Sequence, residues 1–449
     1  MSCMNTQGWM SDMEPARGME ELPLSPSLSA MVQHLPKSLT EVIAWFREND
    51  AHVWIVGGAL RNTMLGTRVF EFDLATTMTP NEMKSYPDTL PTGERYGTIT
   101  FRNNGDTYEV TTLRTESGYN DGRRPDEVEW GDSLLVDLSR RDLTMNAMAL
   151  DPIKQAFYDP FDGCGDLENG RLRSVGEATK RLSEDALRIL RTYRFMDQGA
   201  AGIWLPDQQL ADALRKTRPM LDRIASERIW SEFKRILLGQ HASEIVQRMA
   251  DDGILKQISN LDWMQDDLRI KLLDEIESDD VLDRLVVLLR DFNAEDCEML
   301  SAKLRLSGRE KKNLLFRHSK QGHLPENMDS SMRVYAVAMG SWSQQHLKIE
   351  QLFARFDSLP GFTEEDVQRR IDRLSSLKID FNVEPLASGD FIMQRTGIQQ
   401  GPKLGALKAW LFYEQVARHL QTLEEMDRLL CTLSWQTEDT TRWPKLQFP

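Results

Sequence analysis

Strand-like segments end near residue 170 and do not resume, and this asymmetry narrows the folds open to the chain more than any other feature. Before that point a helical stretch, "SLTEVIAWFREND" (38–50), leads into the strand run "HVWIV", which breaks at Gly57-Gly58. "FEFDLAT" (70–76), "TITFR" (98–102) and "TYEVTTLR" (107–114) read as further strands. "TESGYNDGRRPDEVEWGD" (115–132) reads as a polar loop and "FYDPFDGCGDLENG" (157–170) as a turn-rich connector. From about residue 171 on, apolar residues recur at three and four spacing in "SEDALRILRTYRFMDQ", "SERIWSEFKRILLG", "DDVLDRLVVLLRDF", "EDVQRRIDRLSSL" and "KLGALKAWLFYEQVARHLQTLEEMDRLL". No fixed period links these helices, so a regular solenoid is not expected. The pattern predicts an α/β head with a small mixed sheet, followed by an elongated all-α remainder.

The chain has 449 residues, too many for one hydrophobic core, with 40% hydrophobic and 28% charged residues as in ordinary globular proteins. Its formal net charge of -15 argues against binding nucleic acid with the whole surface. The distribution leaves room for local phosphate tracking: residues 251–300 hold 15 acids against 5 bases, while "KLRLSGREKKNLLFRHSK" (303–320) holds 7 bases against 1 acid. Cys3, Cys164, Cys297 and Cys431 form no Cys-x-x-Cys pair, which fits a reducing cytoplasm better than a disulfide framework or a zinc ribbon. No run of about 18 apolar residues is present. Residues 1–36 lack the order of a secretory signal and read as a mostly disordered leader.

Within the head, Gly57-Gly58 after a strand permits close backbone approach and a nest of N–H groups for an anion. On its own it is also what any tight turn uses. Glu71 and Asp73 stand two apart in a strand-like run, so both would point to one face. Paired hard oxygen ligands suit Mg²⁺, and Glu109 on a neighbouring strand is the obvious third acid. "SRRDLTMNAMALDP" (139–152) crowds Arg140, Arg141, Asp142 and Asn146 into apolar surroundings; paired arginines grip phosphate, and Asp142 could accept from a ribose hydroxyl, or the group could be an ion pair closing the domain. In "SEDALRILR" (183–191), Ser183 is placed as a helix cap and Asp185 stands three residues before Arg188, on one helical face. Such a pair could read a base edge in which an amino group sits beside a ring acceptor, as in cytosine and adenine, or be an ordinary helix ion pair.

In this order the motifs resemble the class II tRNA nucleotidyltransferase and poly(A) polymerase family. The resemblance runs through "GGALRNTMLGTRVFEFDLAT", "LPTGERYGTITF", "YEVTTLR", "YNDGRRPDEV", "RRDLTMNAMA", "YDPFDGCGDLENGRLR", "EDALRILR" and "ERIWSEFKRIL", over roughly residues 38–240. More weakly, "SGDFIMQRTGIQQGPKLGALKAWL" (388–411) is similar to the tail of tRNA-type members. The resemblance implies CCA addition to tRNA from CTP and ATP, with no DNA and no membrane as partner. It implies that Gly57, Gly58 and Arg61 hold the triphosphate and that Glu71 and Asp73 bind Mg²⁺, with Glu109 completing the catalytic acids. Arg140, Arg141, Asp142, Asn146, Arg191 and Arg194 would join the nucleotide-binding set, Asp185 and Arg188 would pair with the base, and Arg123-Arg124 would lie on the flexible loop. The implied division is a catalytic head over 37–165, a base-reading neck over 166–240, a body over 241–350 and a tail over 351–449, the helical parts clamping the acceptor stem and TψC arm.

Two positions depart from the family pattern. Arg61-Asn62 stands for Arg-Asp, and Glu71-x-Asp73 for Asp-x-Asp. The stretch "PTGERYGTITF" lacks the Arg-rich run of bacterial poly(A) polymerases, and the full-length loop disfavours CC-only addition. Addition of A alone stays open, as does a non-catalytic RNA-binding relative. No His-Asp adjacency occurs, so a fused phosphohydrolase domain is not expected.

Overall fold

A computed structural model describes residues 15–117, 127–263, 267–356, 358–436 and 439–448. The chain divides into two compact units, Met1–Lys271 with Leu300–Leu306, and Leu272–Met299 with Ser307–Pro449.

The first unit opens with α1 (Pro26–Gln33) and α2 (Lys37–Glu48), and its strands are β1 (Val53–Val56), β2 (Asp73–Thr76), β3 (Thr89–Gly93), β4 (Thr98–Asn103), β5 (Asp106–Thr112), β6 (Arg114–Ser117), β7 (Glu127–Trp130), β8 (Ala149–Asp151) and β9 (Ala156–Tyr158). Helices α3 (Gly58–Met64), α4 (Pro80–Met83), α5 (Leu134–Ser139) and α6 (Gly163–Glu168) connect or flank them. One sheet has the order β3-β4-β5-β2-β1-β8-β9. Its neighbours are antiparallel except β2 and β5, so the sheet is mixed, as the sequence predicts. The central strand β1 reads Val-Trp-Ile-Val and is buried at all four positions, the pattern of a strand covered on both faces. Helix α2 buries Leu39, Val42, Ile43 and Phe46, a three-and-four spacing that sets one face on the sheet. There Phe46 meets Phe101 of β4 with ring centroids 5.4 Å apart. Each such buried side chain contributes about 1.5–3 kcal/mol.

Several sequence expectations are corrected here. From residue 15 on, the expected leader is folded onto the head: Ala16 joins the head core, Leu28 of α1 is buried, and Leu22 exchanges backbone hydrogen bonds with Phe157 at 2.8 and 3.1 Å. The edge strand β9 gains a partner in this way, which an exposed edge requires. The predicted loop 115–132 begins and ends as the antiparallel pair β6–β7, running from Arg114 opposite Trp130 to Ser117 opposite Glu127. The predicted connector 157–170 holds the end of β9 and all of α6. Glu71 precedes β2 and is not part of it. A short parallel pair, Arg171–Leu172 with Leu205–Pro206, lies beyond the point where strands were expected to stop.

Behind the sheet come α7 (Ala178–Glu184), α8 (Leu187–Met196), α9 (Gln208–Thr217) and α10 (Ser226–Leu237). Helix α8 buries Ile189, Leu190, Tyr193 and Met196, leaving Arg188, Arg191 and Arg194 aligned at intervals of three on another face. Helix α10 buries Ile229, Trp230, Phe233, Ile236 and Leu237, and with them the carboxylate of Glu232.

The second unit is helical. Capping boxes start Gly308–Lys320 (Ser307 with Glu310), Glu364–Ser376 (Thr363 with Asp366) and Leu423–Leu430 (Thr422 with Glu425). Arg290 donates two hydrogen bonds to the buried Glu350, at 3.0 and 2.8 Å. The long helical stretch expected over 403–430 is two helices, Pro402–Arg418 and Leu423–Leu430, because His419 turns left-handed at φ 55° and closes the first. Trp410, Leu407, Ile392, Met426 and Trp443 form the core between them.

Candidate active site

Strand register builds the site. Asp73 opens β2 directly opposite Val56 of β1 and opposite Glu109 of the parallel strand β5. The chain leaves β1 at Gly57, beside Asp73, with φ 70° and ψ -122°, a conformation that favours glycine. A Cβ there would lie 3.0 Å from Nη1 of Arg141 and 3.6 Å from the Asn146 carbonyl oxygen, so the glycine also makes room for the arginine.

Gly57, Gly58 and Arg61 line a cleft of about 710 Å³ together with Glu71, Asp73, Arg140, Arg141, Asp142, Asn146, Asp185, Arg188, Arg191 and Arg194. Leu187, Phe195, Arg228, Glu232 and Arg235 complete its walls. Eight arginines face five carboxylates among the described lining residues, a surplus of three positive charges in a protein whose net charge is negative. Such focusing favours a polyanion.

Several of these arginines are held by a specific acceptor. Asp137 of α5, 1% exposed, accepts from Arg140 at 2.6 and 2.9 Å and from Arg141 at 3.4 Å. Burial pushes the Asp137 carboxyl up, but Arg140 and Arg141 outweigh it and hold the pKa below the ordinary carboxylate value. Asp142 has both oxygens engaged: Oδ1 accepts from the Leu143 N–H and the Asn146 amide, and Oδ2 accepts from Arg191 at 2.7 Å. Burial opposes its charge, yet Arg191 and Asn146 carry its pKa well below the usual range. In turn Asp142 raises the pKa of Arg191.

Arg61 differs. Its hydrogen bonds go to two amide oxygens, Asn146 Oδ1 at 2.6 Å and Asn62 Oδ1 at 2.9 and 3.2 Å, so no carboxylate contacts its charge. Burial lowers its pKa, Asp142 works against that, and Arg191 adds to it. Asn62, where the family pattern has Asp, thus leaves the guanidinium more electropositive. Arg61, Arg191 and Arg194 also surround the Phe195 ring, at 4.9, 5.4 and 4.5 Å from its centroid. Burial lowers the Arg194 pKa to about 10, and Glu232 at 3.2 Å counters that shift. Arg141 Nε and Arg228 Nη1 are buried without a hydrogen-bond acceptor among the described residues, the condition of donors aimed at a ligand.

The acids show the opposite strain. Asp73 keeps solvent access, but the cleft walls desolvate its carboxyl and raise its pKa, with Arg141 pulling down and Glu71 pushing up. Glu109 is raised by desolvation, then by Asp73 and Glu71. Like charges held together in this way call for a cation. Among the described residues no three His, Cys, Asp or Glu side chains already converge as a metal cluster.

Residues 53–173 match the model of the poly(A) polymerase head domain, and residues 206–262 match that described as "Probable RNA and SrmB- binding site of polymerase A". The chain is 39% identical over 230 residues to a CCA-adding enzyme of Ligilactobacillus salivarius, covering 50% of this chain and 56% of that one. By these matches the chain carries a poly(A) polymerase head domain and is similar to CCA-adding enzymes. Another relative is the CCA-adding enzyme of Lactiplantibacillus plantarum, 43% identical over 189 residues, 42% of this chain and 46% of the relative. The chain spans about half the length of the curated relatives it matches. The likeness of fold extends further: the Bacillus stearothermophilus CCA-adding enzyme, solved in complex with CTP, superposes with TM-score 0.72 at 22% identity, over 91% of this chain and 98% of that one. The Thermotoga maritima CCA-adding enzyme complexed with tRNA gives TM-score 0.62 at 18% identity, over 90% and 98%.

Every described member of the expected nucleotide set lies on one cleft, and Glu109 stands beside it next to Asp73. Arg123 and Arg124 lie outside the described residues. Two local expectations are corrected. Ser183 does not cap a helix; it is in the last turn of α7, donating to Thr179 O at 2.7 Å. Asp185 and Arg188 do not pair on one helix. Asp185 is the break between α7 and α8, where Oδ1 accepts from Leu187 N–H and Oδ2 from Arg228 at 3.1 Å. Arg188 donates to Glu184 and to the carbonyls of Arg181 and Arg140.

Sequence reasoning missed Asp137, Glu184, Phe195, Arg228 and Glu232. Spacing could have found Asp137, three and four residues before the paired arginines, and Glu184, four before Arg188. Nothing local joins Arg228 to Asp185, which are 43 residues apart.

Proposed function

We propose that this chain adds the 3′-terminal CCA to tRNA from CTP and ATP, without a template. The observation that carries the reading is the cleft itself: an arginine-rich wall facing register-paired carboxylates, in a family head. Curated relatives matched over 50% and 42% of the chain bear the name CCA-adding enzyme.

Arg61, Arg140, Arg141 and Arg191 would grip the triphosphate, with Asp137, Asp142 and Asn146 setting their directions. Asp142 also orients Arg191, which donates to its Oδ2. Glu71, Asp73 and Glu109 fit Mg²⁺, which takes a few carboxylates and completes its shell with phosphate oxygens and water. The raised pKa values of Asp73 and Glu109 support the reading of acids held together for a cation. Mg²⁺ bound there would acidify the attacking hydroxyl and neutralise charge on the leaving oxygens. The RNA 3′-oxygen forms a bond to the α-phosphorus, the bond to pyrophosphate breaks, and the hydroxyl proton passes to water. Alignment and charge neutralisation suffice, so no side-chain nucleophile is needed. Asp185 and Arg188 face the base, the carboxylate accepting an exocyclic amino group and the guanidinium donating to the adjacent ring nitrogen, an edge shared by cytosine and adenine. The helical neck (166–240), body (241–350) and tail (351–449) would hold the acceptor stem and TψC arm. Among the described residues no helix is long and apolar enough to cross a membrane, and we place the activity in the cytoplasm with tRNA.

Calorimetric titration with each of the four ribonucleoside triphosphates in Mg²⁺ tests the base-reading half. CTP and ATP should bind, with UTP and GTP at least tenfold weaker, and Asp185→Ala should erase the difference. Equal binding of all four by the parent protein would remove Asp185 and Arg188 from base recognition.

A further inference from the structure

We propose that Phe70, backed by Arg68, is a stacking platform for the base at the 3′ end of the RNA being extended. Phe70 is 77% exposed; every other exposed large hydrophobic among the described residues is 50% exposed or less. A phenyl ring held so far into water is unfavourable unless something covers it. The Arg68 guanidinium lies over the ring at 5.0 Å from its centroid, and one ring face is left for a partner. No carboxylate among the described residues pairs with Arg68, so its charge is available to a phosphate. An aromatic face with a cation beside it is the usual means of holding an unpaired nucleotide whatever its sequence.

Position selects the occupant. Phe70 immediately precedes Glu71, which lines the cleft, and stands three residues before Asp73. Consecutive Cα atoms are about 3.8 Å apart, so the Phe70 Cα lies no more than about 11 Å from that of Asp73, the span of one to two nucleotides. The nucleotide whose 3′-hydroxyl reaches those acids must place its own base nearby, outside the arginine wall that takes the triphosphate. The platform therefore suits the acceptor RNA and not the incoming nucleotide. This inference rests on the nucleotidyl-transfer reading of the cleft.

The test uses the full chain, Phe70→Ala, Phe70→Trp and Arg68→Ala, with tRNA ending before CCA and a second tRNA carrying 2-aminopurine at its 3′ end. Because Phe70 is exposed, the variants should fold and melt like the parent. Phe70→Ala should raise KM for tRNA about tenfold or more, as expected from losing one stacked base, and leave KM for CTP within about twofold. Phe70→Trp should stay near the parent, and Arg68→Ala should weaken tRNA with a shallower salt dependence. Bound 2-aminopurine should be quenched by the parent and Phe70→Trp and bright with Phe70→Ala. An unchanged KM for tRNA together with unchanged quenching in Phe70→Ala would overturn the platform. A parent that quenches the probe without incorporating CMP would overturn the transfer reading and leave the platform standing.

Discussion

Removing the carboxylate of Asp137 should disable the triphosphate grip from behind. Its side chain is 2% exposed and binds Arg140 at 2.6 Å and Arg141 at 3.4 Å, while those arginines keep 19% and 21% of their side-chain surface exposed. Truncating one partner of a fully buried pair costs about 3–5 kcal/mol. Here water can reach both guanidiniums in part, so about 2–3 kcal/mol is expected for Asp137→Ala and roughly half that for Asp137→Asn, which keeps one acceptor. For a domain of about 150–250 residues each kcal/mol shifts Tm by roughly 2–4 °C. The diagnostic readout is ligand affinity in the folded Asn variant: without a charged anchor the two arginines lose their direction, and CTP affinity should fall about tenfold, or about 1.4 kcal/mol. Thermal melts and calorimetric titration measure both quantities. The depressed carboxyl pKa adds a sign: this stabilisation is present above the ordinary carboxylate pKa and fades as pH falls, so parent and variant should converge in acid. A folded Asp137→Asn that binds CTP as the parent does would refute the view that Asp137 aims the arginines.

Gly57→Ala forces a side chain into a left-handed φ and against Arg141 Nη1; it should cost about 1–2 kcal/mol and weaken CTP binding more than tRNA binding, as separate titrations would show. Asp73 and Glu109 have raised pKa values, so their ionisation opposes folding as pH rises past the ordinary carboxylate value. In the absence of metal, Asp73→Asn should therefore gain Tm over the parent as pH rises from the ordinary carboxylate value through the raised one, and hold that gain above it. Added Mg²⁺ should reverse that order. A gap that shrinks with pH would show that the acids are not in conflict.

The fold class was legible because its cues are local. The unbroken apolar run Val-Trp-Ile-Val marks β1, and three-and-four spacing marks α8 and α10. The cleft was legible where chemistry and spacing coincide, as at Gly57-Gly58, Asp73 and Arg140-Arg141. Long-range pairing was not. Leu22 finds Phe157 across the sequence, and a Pro- and Ser-containing segment gives no hint that a sheet edge awaits it. Asp185 was read with Arg188 because they are neighbours, whereas the break between α7 and α8 turns its carboxylate to Arg228 on α10. Glu71 was read as a strand residue, but β2 begins only at Asp73, so the strand-face argument does not apply to it. Asn62, a departure from the family pattern, has a visible consequence only in three dimensions, where its amide oxygen and that of Asn146 replace a charged acceptor for Arg61.

The central claim is tested most directly by the product made from a tRNA transcript ending before CCA, incubated with the full chain, Mg²⁺, CTP and ATP, and read by mass spectrometry and end sequencing. The account predicts extension by C, C and A in that order, followed by a stop, and no extension with Asp73→Ala. No incorporation by the parent, A added only to a transcript already ending in CC, or an unbounded run of A would contradict it.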